Sequence, residues 1–570
     1  MTARISLGLR LLLAAAAGLL LSFALPTVLP IWGKNEILPG GQLGSLAYVG
    51  LVPLLFALDQ DHEPRRGAFL LGFFAGLVYF SVAIWWIDIA MHTFGGIPNV
   101  FAVPVLYLLI VWMAVHWGAA CWLAVTIAER LPRVAGRSSL WLVLPPVWTS
   151  FELVRNYLFS GYPWGDLGYL LARFRIIVQW ASLFGIYGLA FLVVAANGAL
   201  YALLRAVAAR DRRAVILPAS VLAAVVLLPL PWDLFRLHVI DRELATAPTV
   251  KVAIVQPNVD QKIKNAAAGP MDYAQYRDFI LDRLLPLTEK ADRDGARLIA
   301  WPEASFPIPM PAHPRRLPIA LPPLHAQILV GGETAGIIRG HRLLTNSAFA
   351  VGPGGDIEAQ YDKHHLVPFG EYVPLEKTLH LPIHAVVPDI GFFDPGDDLQ
   401  VFSLPAASSA TIVPAAAGSV GAVSYAPLIC YDAIFPEISL GFARQDPDFF
   451  VNLTNDAWYG FSSASYQFLS MVAVRAVETG KAFVRPANTG ISAFIDPAGR
   501  IVARTPLGLV DSPEDAVSAE AAVPPVLIEG NVPLLRAHTP YVEIGDAFAY
   551  LCAAVTLALW AIARKRFAVR

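Results

Sequence analysis

Three short segments place an ionisable residue just after a strand-like run, where α/β proteins gather their reactive groups. They are Trp301-Pro302-Glu303-Ala304-Ser305, the run from Tyr361-Asp362-Lys363 through His364, His365 and Pro368 to Glu371, and Ile429-Cys430-Tyr431-Asp432. A thiol, a carboxylate and an amine suffice for acyl transfer through a thioester. The carboxylate takes the thiol proton, the sulfur attacks a carbonyl, and a cation or N–H sits where the carbonyl oxygen becomes anionic. In that scheme Cys430 is the nucleophile, Glu303 the base, and Lys363 with the backbone N–H of Tyr431 the oxyanion stabiliser. Singly, each has a plainer reading: Glu303 as a first-turn helix acid, Lys363 as a solvated loop lysine, Cys430 as a small core residue. The combination favours chemistry. The chain has three cysteines, and Cys121 and Cys552 fall inside long apolar runs, so Cys430 is the lone thiol of the polar part. In an oxidising compartment such a thiol is a liability unless it is used. No Gly-x-Ser-x-Gly elbow surrounds a plausible serine, and the adjacent His364 and His365 point in different directions, so neither a metal site nor another cofactor is expected.

What positions these groups follows from composition. With 570 residues, 56% of them hydrophobic and 15% charged, the chain falls outside the soluble range, and its net charge of −2 gives no footprint for a nucleic acid. A helix crossing a bilayer needs about 20 apolar residues. Seven apolar runs precede the polar part, at 11–29, 42–58, 67–90, 101–127, 138–155, 177–204 and 214–231, and an eighth lies at 546–563. The first is read as a retained helix, since it lacks a clear cleavage site. The spacing predicts an N-terminal transmembrane helical domain over 1–235, an inserted catalytic domain over 236–545, and a last helix with a short tail over 546–570. Basic residues cluster at Arg4 and Arg10, at Arg65 and Arg66, at Arg130, Arg133 and Arg137, at Arg210, Arg212 and Arg213, and at the C-terminus from Arg564. Eight crossings put all five clusters on one side, which the positive-inside rule makes the cytoplasm. Both termini are then cytoplasmic and the inserted domain extracytoplasmic.

Within the inserted domain, strand and helix patterns alternate. Strands are expected at 250–255, 298–301, 328–331, 423–429 and 449–453, helices at 276–291 and 466–479, and hairpins at 347–361 and 492–502. Such mixing predicts a layered α/β domain with helices covering sheets. Phe369, Leu381, Val386, Val387, Phe392 and Phe393 flank the lysine segment in a Pro-rich loop. They form either a membrane-facing lid or packing for the sandwich.

The order Glu303, Lys363, Cys430 in these contexts resembles the nitrilase superfamily, and its membrane embedding resembles the apolipoprotein N-acyltransferase family. The resemblance extends to Gly161-Tyr162-Pro163-Trp164, Pro368-Phe369-Gly370-Glu371-Tyr372, Asn455-Asp456-Ala457-Trp458 and Asn488-Thr489-Gly490. It implies an αββα sandwich in a multi-pass protein of the bacterial inner membrane, with the catalytic domain on the periplasmic side. It also implies a ping-pong reaction. An acyl chain passes from a phospholipid, typically phosphatidylethanolamine, to the Cys430 thiol, and from there to the free α-amino group of a lipoprotein's N-terminal diacylglyceryl-cysteine. Glu371 matches the family's additional glutamate, and Tyr431, Asp432, Asn455 and Trp458 fall in its supporting motifs. Two departures stand out: Asp432 replaces a common Glu, and residues 251–300 contain no Trp where the family commonly has one. Two rival readings are a membrane-tethered amidase with the same triad and a non-catalytic transporter or receptor. The second is disfavoured because ionisable residues are scarce in the apolar runs, Glu152 and His116 being the main exceptions.

Overall fold

Long, nearly uniform apolar runs build the helices of the first part of the chain, and short apolar strands alternating with helices build the second. The computed structural model describes residues 6–31, 34–38, 43–59, 65–132, 138–261, 263–264, 273–338, 341–368, 370–372, 393–405, 422–507, 523–536 and 538–568. The chain divides into two units: residues 1–88, 99–238 and 543–570 make one, residues 89–98 and 239–542 the other.

Among its described residues, the first unit has helices and one short hairpin, of β1 (Thr27–Ile31) and β2 (Lys34–Leu38). Among the described residues, six helices are long and apolar enough to cross a membrane: Leu7–Ala24, Arg66–Ala83, Asn99–Ala128, Ile177–Ala208, Arg212–Thr246 and Ala547–Lys565. The apolar run at 42–58 breaks into a 3-10 turn, Gly44–Tyr48, and a short helix, Val52–Leu58. The run at 138–155 forms the helix Leu140–Tyr157, whose Pro145, Pro146, Glu152 and Arg155 keep it from the same class. Small residues let the helices approach closely: a Cβ on Gly72 would lie 2.7 Å from the Trp117 carbonyl and against Cys121 Sγ. That gives the buried Cys121 a packing role. Glu152 is likewise structural in this unit. Its Oε1 accepts from the Trp148 indole at 3.1 Å and from the Leu167 amide at 3.0 Å, while Arg155 pairs with the buried Asp166.

The second unit holds two six-stranded sheets. The first has the order β14 (Val526–Pro533), β3 (Thr249–Gln256), β4 (Leu298–Ala300), β5 (Gln327–Ile338), β6 (His341–Val351) and β7 (Ile357–Asp362). The second has the order β13 (Ile501–Arg504), β12 (Ala493–Ile495), β11 (Ala482–Arg485), β10 (Phe449–Leu453), β9 (Val423–Ile429) and β8 (Phe402–Leu404). Each sheet has three parallel strands at its centre, β3–β4–β5 and β9–β10–β11, flanked by antiparallel ones. Parallel strands are covered on both faces, which is why β10 reads Phe-Phe-Val-Asn-Leu and is buried throughout. Between the sheets, the Tyr425 hydroxyl of β9 donates to Gln327 Oε1 of β5 at 2.8 Å. On the outer face of the first sheet the helix Tyr273–Arg293 packs Ile280, Leu284 and Ala291 over Val255, Ile299, Ile328 and Phe349. Helices Pro436–Ala443 and Ala464–Thr479 make the crossovers of the second sheet. The result is the layered α/β domain expected from the alternating pattern, with the helix–sheet–sheet–helix order that the family resemblance implies.

Candidate active site

Glu303, Lys363 and Cys430 each follow the end of a strand, on β4, β7 and β9 respectively, and the fold brings them together. The loop that carries Glu303 is pinned at several points. The Trp301 amide donates to the Leu329 carbonyl at 2.8 Å, its indole donates to Thr288 Oγ1 at 2.9 Å, and the Ser305 and Phe306 amides share the Gly331 carbonyl. Gly331 is required there, since a Cβ would strike the Pro302 carbonyl and lie 2.7 Å from Glu303 Cα. Glu303 is buried, its side chain 8% exposed. Its Oε1 accepts from Asn346 Nδ2 at 2.8 Å and from Lys363 Nζ at 3.4 Å.

Lys363 is the electrostatic centre. Its Nζ, buried, donates to Glu371 Oε1 at 2.8 Å as well as to Glu303. Burial pulls the ammonium toward deprotonation, but the carboxylates of Glu371 and Glu303 outweigh it and hold the pKa well above the ordinary lysine value. Lys363 therefore stays a cation and serves as a donor. Glu371 is held in turn by the Val367 amide on Oε2, 2.8 Å, and by Asn346 Nδ2 on Oε1, 3.1 Å.

Cys430 opens a 3-10 turn directly after β9 with φ at 47°, a left-handed conformation costly for a side chain with a Cβ. The thiol is 5% exposed. Burial first, and the Glu303 charge second, push its pKa up, while Lys363 and the Thr454 hydroxyl pull it down. At rest it is a thiol, so its proton leaves only when a base takes it. Asp432, two residues on, faces the turn itself. It accepts from the Ile429 amide at 3.1 Å, the His365 amide at 2.8 Å and the Tyr361 hydroxyl at 2.9 Å. Burial lifts its carboxyl to about 6 against the pull of Lys363. It thus ties the lysine segment to the cysteine turn. Tyr431 packs edge-on against Phe435, and Phe435 stacks on His365 with ring centroids 3.6 Å apart.

The remaining expected residues take other places. Asn455 faces Gln261 and Asn488, bonding at 3.3 and 2.9 Å, and so joins loops of the two sheets. Trp458 is 38% exposed and meets Phe94 of the segment 89–98 edge-on. Phe369, Leu381, Val386, Val387 and Phe392, weighed as a lid, lie outside the described residues. Phe393 is half-buried, and its amide donates to the Glu371 carbonyl at 2.9 Å. Sequence reasoning missed Asn346, which bridges both glutamates. The polar run Thr345-Asn346-Ser347 between the apolar stretches at 343–344 and 348–351 was the one sequence signal, and it does not set Asn346 apart from its neighbours. It also missed Lys264, whose Nζ donates to the Ala304 carbonyl at 3.0 Å. Burial lowers that amine to about 8, opposed by Glu303 and Glu333.

Residues 17–199 match the Apolipoprotein N-acyltransferase N-terminal domain, and residues 251–508 match the Carbon-nitrogen hydrolase domain. The apolipoprotein N-acyltransferase of Geobacter metallireducens is 35% identical over 561 residues, covering 97% of this chain and 95% of the relative. That of Ralstonia nicotianae is 31% identical over 520 residues, covering 90% and 88%. Among solved structures, Saccharomyces cerevisiae Nit3, a nitrilase-superfamily member, aligns at 15% identity and a TM-score of 0.33, covering 50% of this chain and 90% of that one. On the full-length matches to its relatives, the chain belongs to the apolipoprotein N-acyltransferase family and is a membrane acyltransferase with a nitrilase-like catalytic domain.

Proposed function

We propose that the enzyme moves a fatty acyl chain from a membrane phospholipid onto Cys430 Sγ and then onto the α-amino nitrogen of an N-terminal diacylglyceryl-cysteine. The observation that carries this reading is the buried ammonium of Lys363 between Glu303 and Glu371, beside a thiol raised on a left-handed turn. Glu303 removes the thiol proton as sulfur attacks the ester carbonyl. Lys363 Nζ and the Tyr431 N–H stabilise the oxyanion, and the tetrahedral intermediate expels the lysophospholipid alkoxide, which takes the proton back from Glu303. In the second half the acceptor amine attacks the thioester, Glu303 takes a proton from nitrogen, and the sulfur leaves with that proton. Asp432 orients the cysteine turn, and Glu371, Asn455 and Trp458 support the site. An amidase acting on small amides would use the same chemistry but leave the apolar helices without a role. Lipid-anchored substrates explain them, because drawing an acyl chain into water costs about 0.8 kcal/mol per CH₂.

The reading includes eight crossings, a catalytic domain over 236–545 on the periplasmic side of the inner membrane, and cytoplasmic termini. The positive-inside rule supports it. If the segments at 42–58 and 138–155 did not cross, the clusters at Arg65 and Arg130 would sit on the opposite side from Arg4 and Arg210. The helix Leu140–Tyr157 has 18 residues, enough for about 27 Å of rise.

Reporter fusions after Arg212 and within 260–500 are expected to report opposite sides, and the same side for both would refute this topology. Purified enzyme given phosphatidylethanolamine with a labelled acyl chain should label a diacylglyceryl-cysteine peptide with a free N-terminus. The N-acetylated peptide should stay unlabelled, since its nitrogen has lost the nucleophilic lone pair. Equal labelling of both peptides would remove the α-amine from the reaction. Lys363→Met should lower turnover by about 10²-fold or more, the scale of a lost oxyanion donor, with Glu303→Gln also severe. Near-normal turnover in Lys363→Met would leave the lysine only a structural role.

A further inference from the structure

Behind Cys430, on the side of the second sheet, lies a buried polar chain that the transfer mechanism above does not use. Thr454 follows β10 and is fully buried. Its hydroxyl oxygen is 3.4 Å from Cys430 Sγ and 3.0 Å from Asp456 Oδ1. Asp456 is itself fully buried, and both of its carboxylate oxygens lie 3.0 Å from Arg485 Nη2. Arg485 is fixed independently of Asp456: Nη1 donates to the Ile491 carbonyl at 2.5 Å, and the guanidinium lies over the Phe468 ring, 4.7 Å from its centroid. Gly490, at φ 83°, lets the backbone close over the aspartate, where any Cβ would meet its carboxylate.

A hydroxyl has one proton and lies here between two atoms that can both accept it. Paired with arginine, Asp456 offers acceptor lone pairs only. While Cys430 is a thiol, the Thr454 proton goes to Asp456, and a lone pair on Oγ1 faces the sulfur, where the S–H can rest. Once that proton has gone to Glu303, a lone pair opposite an anionic sulfur is repulsive. Turning the hydroxyl about its C–O bond replaces the repulsion with a charge-assisted hydrogen bond. Asp456 loses one donor and keeps Arg485.

We propose that Thr454 is a one-proton switch for the nucleophile, its hydroxyl aimed at Asp456 when Cys430 is a thiol and at Sγ when the thiolate forms. The idea rests on Cys430 being the nucleophile, and it adds the group that receives the negative charge on sulfur each time the acyl chain arrives or leaves. Arg485 and Asp456 are positioning residues that hold the hydroxyl within reach. The other charged groups around the thiol are Glu303 and Lys363, from the first sheet, and Asp432 on the cysteine's own turn, already bound to Tyr361, His365 and Ile429.

The test is the pH profile of Cys430 alkylation by iodoacetamide in the full-length detergent-solubilised protein, read as mass on the Cys430 peptide. Alkylation needs no acyl donor, so it reports on the thiol alone. Thr454→Val, nearly isosteric and without the hydroxyl, should move the midpoint up by about one pH unit, roughly tenfold slower alkylation at a fixed pH below it. Thr454→Ser should keep the wild-type midpoint. Thr454→Ala removes the same proton without the β-branch and gives the answer if the valine variant does not fold. An unchanged midpoint in the variants without the hydroxyl overturns the proposal, as does a serine variant shifted as far as the valine one. Where the midpoint lies above the accessible range, the alkylation rate at one fixed pH below it carries the same comparison, and equal rates in wild type and in the variants without the hydroxyl overturn the proposal. Acyl transfer persisting in Cys430→Ala would instead refute the nucleophile reading, an outcome distinct from every alkylation result.

Discussion

The site is organised around one buried cation. Taking a charged group out of water costs several kcal/mol, and removing one partner of a buried pair costs about 3–5 kcal/mol because the other charge is left stranded. Lys363 Nζ therefore demands acceptors wherever the backbone puts it, and the fold supplies two carboxylates, Glu371 at 2.8 Å and Glu303 at 3.4 Å. Asn346 then donates to both carboxylates and sets their spacing. The arrangement carries one positive and two negative charges beside a thiol. The thiol accordingly stays protonated, and Glu303 has an acceptor position to offer its proton. In the reaction we propose, Lys363, held as a cation, is the group that meets negative charge on the carbonyl oxygen, and the neutrality of the resting sulfur comes from the same electrostatic balance.

The scaffold makes this balance affordable by ending several strands at one place. Glu303 after β4, Cys430 after β9 and Thr454 after β10 all lie at the carboxyl ends of parallel strands, and Lys363 arrives from the antiparallel β7. Asp432 joins the two sheets through Tyr361 and the His365 amide. Its shorter side chain, compared with the glutamate common in the family, still reaches three donors because they come from its own turn and from the adjoining lysine segment. On the opposite side of the cysteine, Thr454, Asp456 and Arg485 form a second polar wall. Cys430 thus has a charged face, with Glu303 and Lys363, and a hydrogen-bonding face, with Thr454, each built by a different sheet.

Much of this cluster was legible in the sequence because the residues it gathers are chemically conspicuous. Cys430 was the one thiol outside an apolar run, and Glu303 and Lys363 stood after short strand patterns. The layered α/β fold followed from alternation of period and from glycine-rich turns such as the one between β6 and β7. Asn346 was not legible, because an amide on a strand looks like any half-buried polar residue until the register of β5, β6 and β7 is known. Lys264 was hidden for a similar reason: its partner is a backbone carbonyl, which leaves no trace in sequence. Asp456 enters the sequence reading only within Asn455-Asp456-Ala457-Trp458 and Thr454 not at all, because their relation to sulfur depends on the parallel pairing of β9 with β10. In the helical unit, hydropathy identified the long helices, whereas Glu152 read as an isolated charge. Its partners are the Trp148 indole, one turn earlier on the same helix, and the Leu167 amide, on a 3-10 turn whose course hydropathy does not describe.

The central claim is that the acyl chain is parked on one sulfur between donor and acceptor. Intact-protein mass spectrometry after incubation with phospholipid alone tests it most directly. Wild-type protein should gain one fatty acyl mass, removed by hydroxylamine as a thioester is and absent in Cys430→Ala. An adduct that forms equally well on Cys430→Ala, or acyl transfer that proceeds with no adduct under any quenching condition, would contradict it.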